Sequence, residues 1–176
     1  MQFKSAKGFT LIEVIISIVT LSIAFSVIIN LILPTAEQSA GQLQQIRAAE
    51  LGQSLMNEIL AKAFDENSDM AGGVERCGEN LRVCTANANL GPDGIETRAT
   101  YNDVDDYLNI ALENSFEEDL SGLYQGFSIA VNVCNDSDYD GECEAGENNE
   151  TAKLITISVT DPLNNTIDFS SYKANF

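Results

Sequence analysis

Between Gly8 and Pro34 the chain is apolar at almost every position, and Glu13 is its one charged residue there. Ile, Leu, Val and Phe dominate from Phe9 to Leu33, with the small hydroxyl residues Ser17, Thr20, Ser22 and Ser26 among them. At about 1.5 Å per residue, a helix over this segment reaches roughly 37 Å, enough to cross a hydrocarbon core with some tilt. The hydroxyls suit such a helix, because they bond its own carbonyls or let another helix approach closely. Pro34 removes one ladder bond, so a kink or break is expected there. Helical period then resumes to about Phe64. Ala48, Leu51, Leu55, Ile59 and Ala63, joined by Gly52, Met56 and Leu60, recur at three- and four-residue steps on one face. The other face holds Gln44, Arg47, Glu50, Asn57, Glu58 and Lys62. The segment Thr35 to Gln45 is weakly amphipathic and reads as a solvated neck.

From Asp65 the composition turns to Asn, Asp, Gly and Ser, and Asn67 to Thr100 reads as a long loop with a turn cluster at Leu90-Gly91-Pro92-Asp93-Gly94. Asp103 to Tyr107 leads into a stretch with no assignable period. Further on, the period changes to two. Phe127, Ile129, Val131 and Val133 alternate with polar or small residues, as do Ile155, Ile157 and Val159. Asp161 to Asn165 is a turn, and Ile167 with Phe169 begins a third strand. The pattern predicts an antiparallel meander covering the amphipathic half of the helix, an α+β fold.

The 176 residues suffice for one domain and a helical stalk. A net charge of −18 disfavours nucleic acid, whose phosphates such a surface repels. With no histidine, triads, imidazole bases and the commonest zinc sites are excluded. The cysteines Cys77, Cys84, Cys134 and Cys143 form an even set in two close pairs without a CxxC. In an exported chain they read as disulfides. Three connectivities are open, of which local pairing, Cys77 with Cys84 and Cys134 with Cys143, is favoured.

The order of parts at the start is unusual. An ordinary secretory signal places its apolar core before the cleavage site and discards it. Here the small residue, Gly8, precedes the core and follows the basic residues Lys4 and Lys7. Cutting after it keeps the apolar helix. The run Gly8-Phe9-Thr10-Leu11-Ile12-Glu13 resembles the class III leader of type IV prepilins and type II secretion pseudopilins. The resemblance implies that a prepilin peptidase and methyltransferase cuts after Gly8 and methylates Phe9. It also implies that Glu13 pairs with the amino terminus of a neighbouring subunit, fixing axial register while two costly charges neutralise each other. A helix-breaking proline in the stalk is common in that family.

A second constellation lies in the final third. Asp136-Ser137-Asp138-Tyr139-Asp140-Gly141, continuing to Glu147, fits the calcium-loop pattern D-x-D-x-[DN]-G-x5-E. Asp136, Asp138 and Asp140 would aim oxygens at one Ca2+, Gly141 would allow the turn, Glu142 would offer its carbonyl, and Glu147 would close the site, with Glu144 acting through water. The flanks read as strands, not helices, and Cys143 stands where a branched aliphatic is usual. A Cys134–Cys143 disulfide would tie the loop's base. The plain alternative is an acidic, solvated hairpin loop.

Other acidic groups are weaker. Asp65, Asn67 and Asp69 read as a helix-terminating loop, and Asp103, Asp105 and Asp106 as turn and cap residues. Ser54 lacks the second glycine of a nucleophile elbow. No catalytic residue and no small-molecule substrate are expected.

Further segments are similar to the D-type minor pilins of the mannose-sensitive haemagglutinin pilus. They are Arg47 to Leu60, Phe64 to Asp69, Leu90 to Gly94, Tyr101 to Tyr107 and Tyr172 to Phe176. The fold implied is type IV pilin-like: leader 1–8, transmembrane and polymerisation helix 9–34, amphipathic helix 35–64 and head 65–176. The role implied is a minor pilin that primes a pilus or modifies its adhesion. Its partners would be other pilin subunits and the bacterial inner membrane before assembly, with a pilus or periplasmic location afterwards. The alternatives are a type II secretion pseudopilin and a membrane-anchored calcium-binding module that does not polymerise.

Overall fold

The computed structural model describes residues 8–70, 75–110 and 124–176, excluding the side chains of 33–40. The leader before Gly8 and the unassigned stretch after Ile110 lie outside the described residues. The chain divides into two compact units, Met1–Leu43 and Gln44–Phe176.

One helix, α1, runs from Leu11 to Leu60. Thr10 starts it: its Oγ1 and carbonyl both accept the Glu13 N–H, at 3.3 and 3.1 Å. Thr10-Leu11-Ile12-Glu13 thus has the spacing of a capping box, with an acidic residue in the positive first turn. Hydroxyls take up helix carbonyls as expected, Ser17 to Glu13 at 2.7 Å and Ser22 to Ile18 at 2.8 Å. Of the kink or break expected at Pro34, the break does not occur: α1 continues through it. Proline's fixed φ suits a helix, and one missing ladder bond is a local cost that long helical stretches on both sides outweigh. At its far end the helix stops at Leu60, earlier than the periodicity suggested. Lys173 Nζ donates to the Leu60 carbonyl at 3.0 Å, a cation on the negative end.

In the first unit the apolar side chains from Phe9 to Ile32 are exposed, and Leu11–Ile32 is long and apolar enough to cross a membrane. In the second unit, three strands form an antiparallel sheet in the order β1-β2-β3: β1 Ser128–Asn135, β2 Ala152–Thr160 and β3 Thr166–Ala174. Val131 stands opposite Ile157, and Ile157 opposite Phe169. The odd-numbered residues of β1 and β2 therefore share one face with Phe169.

That face meets the last turns of α1. Ala48, Leu51, Leu55, Met56 and Ile59 are buried with Val131, Val133, Ile155, Ile157 and Val159 in one cluster, joined by Val104, Tyr107 and Phe127. Gly52 is the point of closest approach, since a Cβ there would lie 2.2 Å from the Phe169 ring. Two short 3-10 helices, Asn87–Asn89 and Asp105–Tyr107, interrupt the loops before the sheet. Ala63 forms an isolated bridge with Asp103, which brings the second 3-10 helix beside the end of α1.

Candidate functional site

Three groups of residues carry chemistry. At the amino terminus, Gly8 and Phe9 are exposed, Phe9 at 84%, and neither belongs to the helix that begins two residues later. Glu13 lies on the first turn of α1 and is also exposed. A peptidase can reach an exposed peptide link outside a helix, whereas a helical one would first have to unwind. Placing Phe9 and Glu13 four residues apart sets a new α-amine and a carboxylate about one helical turn apart.

The second group is the loop between β1 and β2. Cys134 and Cys143 are bonded, with Cα atoms 5.8 Å apart, and Cys77 with Cys84, 4.8 Å apart. Within the clipped loop Asp136 is fully buried. Its Oδ1 accepts the Tyr139 N–H at 2.8 Å, and its Oδ2 accepts the Gly141 N–H at 3.0 Å and the Tyr172 hydroxyl at 2.8 Å. Desolvation, which would raise this carboxyl, is outweighed by those donors, Tyr172 first, and Asp136 is held below the usual carboxylate range. The same bond pushes Tyr172 up to about 12. Tyr139 and Gly141 adopt positive φ values of 64° and 87°, which fold the loop back over Asp136.

Asp138 Oδ1 accepts the Asp140 N–H, and Asp140 Oδ1 accepts the Glu142 N–H at 2.8 Å. Glu147 Oε2 takes both the N–H and the hydroxyl of Ser137. The outcome is that Asp136, Asp138 and Glu147 offer carboxylate oxygens all within 4.8 Å of one another. Asp140 and Glu142 stand outside that group, although the Glu142 role was assigned to its carbonyl. Oxygens on opposite sides of a calcium ion bonded at 2.3–2.6 Å stand about 5 Å apart, so this all-oxygen set fits Ca2+ by spacing and hardness. Desolvation, followed by the charge of Asp140, raises Asp138.

The third group is buried, which the reading of Asp65 as a helix-terminating residue and of Asp103, Asp105 and Asp106 as turn and cap residues did not foresee. All four are at most 3% exposed. Two of them hold Lys153 of β2, itself fully buried: its Nζ reaches Asp65 Oδ2 at 3.1 Å and contacts Asp105 Oδ1. The Nζ also lies 4.9 Å from the centre of the Phe64 ring. Asp65 takes further bonds from the Thr85 and Asn67 N–H groups, at 2.8 and 3.1 Å. Its desolvation is more than offset by Lys153 and these donors, and its carboxyl sits below the ordinary range.

Asp103 is the opposite case. Desolvation, and then the neighbouring Asp105 charge, push it up to about 8 despite Lys153. Asp103 Oδ1 also accepts the Asp105 and Asp106 N–H groups, so a cap role stands beside the burial. Sequence reading passed over Lys153, yet a signal was there. It shares odd parity with Ile155, Ile157 and Val159, which places a cation on the core side of β2.

Comparison with known families bears on the first group. Residues 3–29 match the family model of the prokaryotic N-terminal methylation motif. The match supports a type IV pilin-family protein. Comparison with curated proteins and with solved structures gave no match. The motif and its leader fit membrane anchoring through the apolar helix, processing by a prepilin peptidase and a structural subunit that assembles with other pilins. An N-terminal helix with a C-terminal three-stranded antiparallel sheet is an α+β, type IV pilin-like fold.

Proposed function

We propose that the chain is a minor pilin of the mannose-sensitive haemagglutinin type, which enters or primes a pilus used in surface attachment. The observation that carries this reading is the exposed apolar helix Leu11–Ile32 with Glu13 as its lone charge, a residue lying within the methylation-motif match. So large an apolar surface needs either lipid or other such helices around it. Assembly exchanges the first for the second. In that exchange Glu13 and the Phe9 amine of a neighbouring subunit neutralise each other and set the axial stagger. The minor-pilin assignment draws on the segments Arg47 to Leu60 and Tyr101 to Tyr107.

The test is assembly of Glu13→Val and Glu13→Ala variants in cells that contain the prepilin peptidase and the partner pilins. Both variants are expected to be processed and retained in the membrane, while their amount in sheared filaments falls at least tenfold. Normal incorporation would remove Glu13 from the mechanism.

A second reading rests on the loop between β1 and β2, whose carboxylates Asp136, Asp138 and Glu147 converge. It is that the head carries a calcium site closed by Glu147, with Asp140 and the Glu142 carbonyl joining on binding. Bound Ca2+ would supply charge neutralisation that stiffens the loop beside the Cys134–Cys143 link. A type II secretion pseudopilin or a non-polymerising anchored module would share this site, and Glu13 variants separate the module from the pilin.

A further inference from the structure

Lys153 is the feature that neither assembly nor calcium binding uses. A fully buried amine is held against two carboxyl groups, with an aromatic ring beside it, at the level where β2 meets the second 3-10 helix. Ordinary buried ion pairs leave two desolvated charges in place, and their attraction scarcely repays the loss of water. Here Nζ already touches an oxygen of the carboxyl it would attack, both groups are buried, and a third carboxyl stands by. Asp103 hydrogen-bonds to Asp105, and burial with the Asp105 charge keeps it protonated at neutral pH. Asp105 is also held from its other side, where Oδ2 accepts the Gly91 N–H at 3.3 Å.

We propose that Lys153 Nζ and Asp105 Cγ become joined by an intramolecular amide bond, formed with loss of one water. The Lys153 ammonium first passes a proton to the Asp65 carboxylate. The freed amine then attacks Cγ of Asp105, and negative charge gathering on Oδ2 is met by the Gly91 N–H. One Asp105 oxygen takes a proton from the Asp103 acid and a second from the attacking nitrogen, and leaves as water. One C–N bond forms, one C–O bond breaks, and nitrogen gives up two protons. Asp65 and Asp103 together hold one proton before the step and one after it, so no outside reagent is needed. A buried cation and a buried anion are replaced by a neutral amide, and the absence of solvent opposes hydrolysis. Contact geometry of this kind is what makes an intramolecular reaction fast.

The link would bind residues 48 apart in sequence, fastening the loops that follow α1 to the central strand. It stands independently of the assembly reading, because nothing in the step involves the amino terminus.

The experiment is the intact mass of the processed, full-length protein, reduced and denatured, followed by fragmentation. Leader loss and amino-terminal methylation are accounted for first. The expected mass is one water below that of the open chain, with a fragment joining the Asp105 and Lys153 peptides. An open-chain mass overturns the proposal. Imide formation at Asp93-Gly94 or Asp140-Gly141 also loses water, so Lys153→Arg, which keeps the charge, is measured in parallel. It is expected to show the full mass, and a persisting deficit would place the loss elsewhere and overturn the amide. Asp105→Asn is expected to lose ammonia in place of water. A water deficit retained in that variant also counts against the bond.

Discussion

Glu58 illustrates how a single side chain on the outer edge of the helix is made structural. Burial alone would raise its carboxyl, but bonds from Arg98 and from the Tyr107 hydroxyl outweigh that and hold it low. Burial and the Glu58 charge raise Tyr107 in turn, so the phenol remains a donor at any physiological pH. A carboxyl depressed in the folded state lends stability that is complete above its unfolded pKa of about 4.3 and is lost as pH falls through the folded value. Melting temperature is therefore expected to drop between about pH 5 and pH 3, with a shallower drop in Glu58→Gln than in the parent. Thermal melts across that range check it, and parallel curves would show that Glu58 contributes nothing to the acid limb. At the same scale, parity in β2 marks Lys153 as inward-facing, whereas nothing in the local sequence of Asp103 or Asp105 shows their burial. Their surroundings come from Asp65 and Lys153, 38 or more positions distant in the chain, and residue patterning carries no record of such meetings.

Among the elements, helix and sheet were the most legible parts. The three- and four-residue steps from Ala48 to Ile59 and the alternation in β1 and β2 each placed their residues on the buried side. Both signals are direct consequences of backbone period, and burial of one face keeps them clean. The helix runs unbroken through Pro34 because the length of helix on either side outweighs a proline's local cost. Gly52 was grouped with the apolar face, and its spacing could not reveal that the Phe169 ring would fill the space a side chain needs. Gly52→Ala is expected to lower stability by about 1–3 kcal/mol, since the ring or the helix must move to admit the methyl group. Denaturant unfolding of the variant measures this, and a stability equal to that of the parent would mean the contact is looser than described. Of the calcium-loop residues, Asp136, Asp138 and Glu147 lie within reach of each other while Asp140 and Glu142 stand outside, and the spacing did not foresee the Tyr172 hydroxyl, which arrives from β3.

For the molecule as a whole, calcium offers a linkage measurement. A cation that binds only the folded head stabilises it by about 1.4 kcal/mol when its concentration is tenfold above Kd. Full-length protein in detergent is expected to melt several degrees higher in millimolar calcium than in chelator, and Asp136→Asn or Glu147→Gln is expected to abolish the difference. Equal melting temperatures for the parent in the two conditions would leave the loop an acidic, solvated hairpin. The disulfides bear on the same measurement, because Cys134–Cys143 holds the loop's base whether or not an ion is present. Thr10 has a consequence of its own at this scale. The hydroxyl that begins α1 belongs to a residue beyond the Gly8–Phe9 junction, so under the proposed processing this capping group stays with the helix. What would change is polarity: a fresh cationic terminus would appear beside the end of the helix that already repels cations. The freshly cut subunit would thus be electrostatically discontented in isolation, with release when a neighbour's carboxylate arrives. Proteolysis would in this way arm the subunit for polymer growth.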